Sequence, residues 1–154
     1  ENWQTHFHEE HWKVINEHNY FWGTFVWVMF DFYAAHRTEG ERDGINDKGL
    51  VSIDRFVKKD AFYFYKANWN KENPFVYVSE RRNSRRKNSL QTLKVYSNTE
   101  SVELFLDGKS IGRRLNNGYG TFVWENCLLN NGKNTIEAVS KDKNVSDKIE
   151  IEII

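Results

Sequence analysis

The chain has 154 residues, enough for one ordinary domain or two small ones. Its 22 basic and 22 acidic residues cancel to a formal charge of +0, so no global field recruits nucleic acid or an anionic membrane. Aromatic residues make up 16%, which points either to very aromatic packing or to a surface that stacks on flat ligands such as sugar rings.

The one cysteine, Cys127, excludes an internal disulfide and lies in an apolar, strand-like run, as a buried inert thiol would. No stretch reaches the roughly 18 apolar residues of a membrane span, and no signal-peptide pattern is visible. The chain opens at Glu1 without a methionine, already in what reads as a helix. That start is expected of a piece of something longer.

From Trp3 to His18 the apolar residues Trp3, Phe7, Trp12 and Ile15 recur at three to five residues, which predicts one stripe of a helix ending at Asn19. Phe21 to Phe32 is almost continuously apolar and rich in β-formers, the pattern of a strand buried on both faces. A polar loop with three glycines runs from Ala34 to Gly49. Lys58 to Trp69 then returns to helical spacing, with Ala61, Phe62, Tyr65 and Trp69 expected inward. Helix, buried strand, long loop and helix make an α/β unit.

The remainder predicts seven short strands, at 75–79, 90–97, 102–106, 109–115, 121–129, 135–140 and 148–154. Asp107-Gly108, Asn117-Gly118 and Asn131-Gly132 stand between them, and such pairs take the positive φ of tight hairpins. This is the pattern of an immunoglobulin-like sandwich. The expected boundary lies near Asn70–Pro74, at the only proline, giving domains at 1–70 and 75–154.

The run His6-Phe7-His8-Glu9-Glu10-His11 invites a metal reading, but Trp12 stands where a helical zincin needs its second histidine, and Phe7 where the inverted motif needs its first. A solvated or capping role is expected, and no metal is assigned. Arg81, Arg82, Arg85, Arg86 and Lys87 form a basic cluster between two strands. It reads as a solvated loop or a dock for acidic residues of a neighbouring domain. Trp27 lies near the end of the apolar run, followed by Asp31. In a β/α barrel, strand ends and the loops after them carry the active face. An indole there offers a flat surface to a pyranose, while an acid, an amide or a lysine in the following loop can bond its hydroxyls. Trp27 as plain core remains the competing reading.

Residues Gly23 to Phe32 (GTFVWVMFDF), Arg42 to Val51 (RDGINDKGLV), Asp54-Arg55 and Lys58 to Ala67 (KKDAFYFYKA) resemble the eighth strand, following loop and last helix of the catalytic barrel in glycoside hydrolase family 2. Val95-Tyr96-Ser97-Asn98 and Val102 to Ser110 (VELFLDGKS) resemble the immunoglobulin-like domain after that barrel in bacterial β-galactosidases. The resemblance covers nearly the whole chain, in the family's order. It implies an α+β chain, the truncated end of a (β/α)8 barrel followed by an immunoglobulin-like β-sandwich.

It also implies a retaining hydrolase of terminal β-galactosides that uses two glutamates with carboxyl groups about 5–5.5 Å apart. In the family these lie on barrel strands preceding Glu1, so the chain alone is expected to be inactive. By the resemblance Trp27 lines the sugar subsite, and Asn46 and Lys48 match an Asn-x-Lys pattern of the active-site loop. In β-glucuronidases that pair holds the substrate carboxylate; Val28 departs from the Asn or Asp that many relatives carry after the tryptophan. The alternatives are a β-glucuronidase-like hydrolase and a non-catalytic carbohydrate-binding or structural sandwich. The implied partner is a carbohydrate, with no cofactor, nucleic acid or membrane, in a periplasmic or extracellular parent. A barrel end cannot close by itself, so residues 1–70 are expected to dock on the sandwich, self-associate with another copy, or belong to a longer chain.

Overall fold

The computed structural model describes residues 1–37 and 42–154. Of the three loop glycines, Gly40 lies outside the described residues. Two compact units are present, Glu1–Phe62 and Tyr63–Ile154, and the division falls inside a helix rather than after it.

The first unit opens with helix α1 (Asn2–Glu17), which has no internal glycine or proline to break it. His18 ends it in an extended conformation, φ −117° and ψ 103°. The helix lies where its periodicity predicts, but only part of the expected stripe turns inward: Trp12 and Ile15 are partly buried, and Trp3 and Phe7 are not. Thr5, His8 and Glu9 are inside, while Trp3 is 78% exposed and Phe7 50%. Polar anchors set this orientation. Gln4 Nε2 donates to the carbonyls of Lys48 and Gly49, at 2.9 and 3.0 Å. The Glu1 carboxylate accepts the amide of Asp60 at 2.6 Å, where the exposed N–H groups of a helix start favour an anion.

The expectation of a buried strand over Phe21–Phe32 is not met. Trp22 is 97% exposed and Phe25 99%. The backbone pairs only near its end. Leu50 N donates to Val28 O at 3.0 Å, Val51 N to Met29 O at 2.9 Å, and Asp31 N to Val51 O at 2.9 Å, around a parallel bridge between Phe30 and Val51. Strand β1 (Phe32–Tyr33) then pairs antiparallel with β2 (Ile45–Asn46), Phe32 opposite Asn46. An apolar run is buried on both faces only when strands flank it and layers cover it. Among the described residues, no such flanking ladder reaches 19–27.

Helix α2 (Asp60–Trp69) begins in the first unit and ends in the second. Its buried residues are Asp60, Ala61, Phe64, Tyr65 and Ala67, and Phe62, expected inward, is half-buried. Trp69, expected inward, is 49% exposed. It lies one turn past Tyr65 and rests on that ring, with centroids 4.5 Å apart. In the second unit Tyr63 stacks on Tyr77 at 3.6 Å. Phe64 meets Tyr96 edge-on at 5.7 Å. Burial pushes the Tyr65 phenol up to about 12.

That unit is a β-sandwich, so the chain is α+β and mostly strand. All seven expected strands are present, as β3 (Val76–Val78), β5 (Leu90–Ser97), β6 (Ser101–Leu106), β7 (Lys109–Leu115), β8 (Thr121–Leu128), β9 (Gly132–Ser140) and β10 (Val145–Ile153). The additional β4 (Arg85–Arg86) hides in the basic run, where its two arginines carry no strand signal. One sheet is ordered β4-β10-β9-β6-β7 and the other β3-β5-β8. Alternation fills the space between them. Val102, Leu104, Ile136 and Ala138 are fully buried, as are Phe122 and Trp124 to within 2%. Burying each large side chain contributes roughly 1.5–3 kcal/mol. Asp107 and Gly108, at φ 49° and 80°, close the β6–β7 hairpin with Leu106 opposite Lys109.

The basic cluster belongs to this sandwich; Arg86 is buried and Arg81 half-buried, while Arg82, Arg85 and Lys87 are exposed. Arg81 bonds Asp147 and lies 4.0 Å over the Tyr77 ring. Arg85 reaches Glu152 at 3.1 Å. Arg86 is buried, with Gln91 Oε1 at 2.7 Å and Glu80 Oε2 at 3.4 Å. Asp147 and Glu152 come from β10, distant in sequence, so the linear pattern does not pair them with these arginines.

Candidate functional site

Asp31 is 2% exposed at the end of the paired segment 28–31. Its Oδ1 accepts two hydrogen bonds at 2.8 Å, from the Gly49 amide and from Lys59 Nζ. Its Oδ2 is buried and accepts none from the described chain. Lys59 Nζ also donates to the carbonyl of Asp47 at 2.6 Å. A lysine just before a helix start opposes the helix dipole, so its placement makes sense through Asp31. A buried ion pair of this kind survives only with such added hydrogen bonds to offset its desolvation.

Gly49 is required by close approach. A methyl group on its Cα would stand 2.1 Å from the Asp31 amide nitrogen and 2.7 Å from Oδ1. Lys48 therefore sits on a tightly held turn. Its amide donates to Asn46 Oδ1 at 3.1 Å. Asn46 itself is 2% exposed. With the Asn46 oxygen turned to that N–H, its Nδ2 faces away from the Lys48 amide and carries two donor hydrogens.

Of the three residues singled out from the sequence, Trp27 is 69% exposed, with its ring edge-on to Phe32 at 6.1 Å. Lys48 is exposed and Asn46 buried. The hydrogen bond between Leu50 N and Val28 O brings the two segments together, one residue after Trp27 and two after Lys48. Asp31 was visible as the acid after the tryptophan. Gln4 and Lys59 were not recognised; the only hint of Lys59 was a cation at the wrong end of a helix.

The histidines are arranged differently. His11 Nδ1 is 2.8 Å from the Phe7 carbonyl, one helical turn back. His8 is buried, and burial first, then the charge of His11, holds its pKa below the ordinary 6.5. Among the described residues no group of three or more His, Cys, Asp or Glu side chains could hold a metal ion. Cys127 is partly rather than fully buried, and that partial burial raises its thiol, with Sγ 3.4 Å from the Trp124 carbonyl. No helix of the described residues is long and apolar enough to cross a membrane.

Residues 89–146 match the family model of a domain of unknown function, DUF4982. A β-glucuronidase of Bacteroides fragilis is 51% identical over 153 residues, covering 99% of this chain and 22% of that relative. The crystal structure of an FMN-binding β-glucuronidase from Facaelibacterium prausnitzii L2-6 matches with a TM-score of 0.90 at 36% identity, over 99% of this chain and 23% of that one. The chain is a homologue of the family 2 glycoside hydrolases. The DUF4982 match corresponds to the C-terminal region of these family 2 enzymes. Beta-galactosidase BoGH2A of Bacteroides ovatus is a further relative, 27% identical over 105 residues, covering 68% of this chain and 12% of that protein. The chain thus spans about a fifth of the length of the first two.

Proposed function

We propose that these residues form the C-terminal part of a retaining family 2 hydrolase, with the end of its catalytic barrel in residues 1–70 and an immunoglobulin-like sandwich in 75–154. Trp27, Asn46 and Lys48 contact the sugar beside the scissile bond, and the two catalytic glutamates lie outside this chain. In support, Glu1 is engaged at the start of α2 and Glu10 pairs with Lys13 at 2.6 Å. The favoured substrate is a terminal β-glucuronide. One observation carries that choice: an exposed lysine on a turn whose amide is held by Asn46 Oδ1, so that an ammonium and the donor-only NH2 group of Asn46 lie two residues apart on one loop. An ammonium and an amide donor complement a carboxylate better than a neutral hydroxyl. The 51% identical relative, a β-glucuronidase, agrees with it.

The second reading is the β-galactoside expected from the sequence resemblance, favoured by the relative named β-galactosidase. Steady-state kinetics of the whole enzyme on 4-nitrophenyl β-glucuronide and β-galactoside separate the two. Lys48→Met should lower kcat/KM for the glucuronide about 30-fold or more, the cost of leaving a desolvated charge unpaired, and spare the galactoside. A wild-type preference for galactoside, unmoved by Lys48→Met, would select the second reading. The 154-residue chain by itself should hydrolyse neither, and turnover by it would overturn the assignment of the glutamates elsewhere.

A further inference from the structure

We propose that Gln4, Asp31 and Lys59 are positioning residues that fix the backbone beneath Lys48 and so aim its ammonium at the substrate; this rests on the sugar-contacting role just assigned to Lys48. The geometry is a run of backbone polar groups, each taken by a side chain or strand from elsewhere. Lys59 Nζ holds the carbonyl of Asp47 at 2.6 Å. Asn46 Oδ1 holds the amide of Lys48 at 3.1 Å, and Gln4 Nε2 its carbonyl at 2.9 Å. Asp31 Oδ1 holds the amide of Gly49 at 2.8 Å, and Gln4 Nε2 its carbonyl at 3.0 Å. Val28 O takes the amide of Leu50 at 3.0 Å.

From the carbonyl of Asp47 to the amide of Leu50, every backbone polar group is therefore engaged. The partners reach across 44 residues for Gln4, 18 for Asp31 and 12 for Lys59. A lysine stem has several rotatable bonds, and binding must freeze them. A fixed root removes the backbone share of that cost, so the clamp lowers KM for a charged sugar without touching the reacting atoms.

The test is kinetic, on the whole enzyme, with Lys48→Met as reference. Gln4→Ala and Lys59→Met each remove two hydrogen bonds and should each raise KM for 4-nitrophenyl β-glucuronide about tenfold or more, leaving kcat within about threefold. Lys59→Arg should restore most of the loss, and KM for an uncharged β-glycoside should not move. If Lys59→Met does not fold, Gln4→Ala decides alone. If Lys48→Met raises KM while the clamp variants stay within about twofold of wild type, the clamp is wrong and the role of Lys48 stands. If Lys48→Met also leaves KM unchanged, the substrate reading itself fails.

Discussion

Gly49 donates its amide to Asp31 Oδ1 at 2.8 Å, and its own Cα sits so close that a methyl group there would be 2.1 Å from the Asp31 nitrogen. The loop that carries Asn46 and Lys48 and the segment that carries Trp27 meet at this contact. Most of the first unit's distinctive chemistry is organised around it.

Gly49→Ala should therefore act well beyond a methyl group. Both nearest atoms are backbone atoms of residues 30 and 31, so neither can swing away as a flexible side chain could. Overpacking of this kind costs about 1–3 kcal/mol or more. Urea unfolding should show a lowered midpoint, and the amides of Lys48 and Gly49 should lose protection from hydrogen exchange. Unchanged protection would mean that the contact is looser than described.

His8 gives the first unit a pH dependence whose sign follows from burial. Its folded pKa is lowered from 6.5, so below that value the unfolded chain binds the proton more readily. Stability should be full above about pH 6.5 and decline as pH falls through 6.5 toward the depressed folded value. Unfolding midpoints at pH 7.5 and 5.5, compared with those of His8→Gln, provide the check. The substitution should flatten the difference between the two pH values. An equal slope in both proteins would assign the acid sensitivity to other groups.

The sandwich should depend on Trp124 in a graded way. Its ring is 2% exposed, and its Nε1 donates to the carbonyl of Gly112 at 3.1 Å. Trp124→Phe removes that bond and part of the ring, and Trp124→Ala removes the whole filling of the inter-sheet space. The alanine variant should cost about 3–5 kcal/mol and the phenylalanine variant less. Chemical denaturation followed by far-UV circular dichroism measures both. Equal losses would point to the hydrogen bond rather than the packing.

The second unit was the more legible. Seven strands stood out because alternation and Asp-Gly or Asn-Gly turns are local signals, and the strands pair within a closed set of neighbours. Ile149, Ile151 and Ile153 face inward in β10 while Glu150 is exposed. The first unit was less so. Phe21–Phe32 has the composition of a buried strand, but burial requires neighbours that composition does not name. Trp3 and Phe7 kept their helical spacing and faced outward, because Gln4 and Glu1 dictate which side of α1 docks.

What the sequence by itself determined is the class of the two helices and of the seven longer sandwich strands, the turns between those strands, and a family resemblance that singled out Trp27, Asn46 and Lys48. Periodicity and positive-φ turn residues are properties of a few adjacent positions, so they can be read along the chain. Only the tertiary structure decided that Asp31, Gln4 and Lys59 converge on one turn, and that Arg81 meets Asp147 and Arg85 meets Glu152. Those partners are separated by long stretches of chain, and hydrogen bonds and ion pairs depend on distance in space alone.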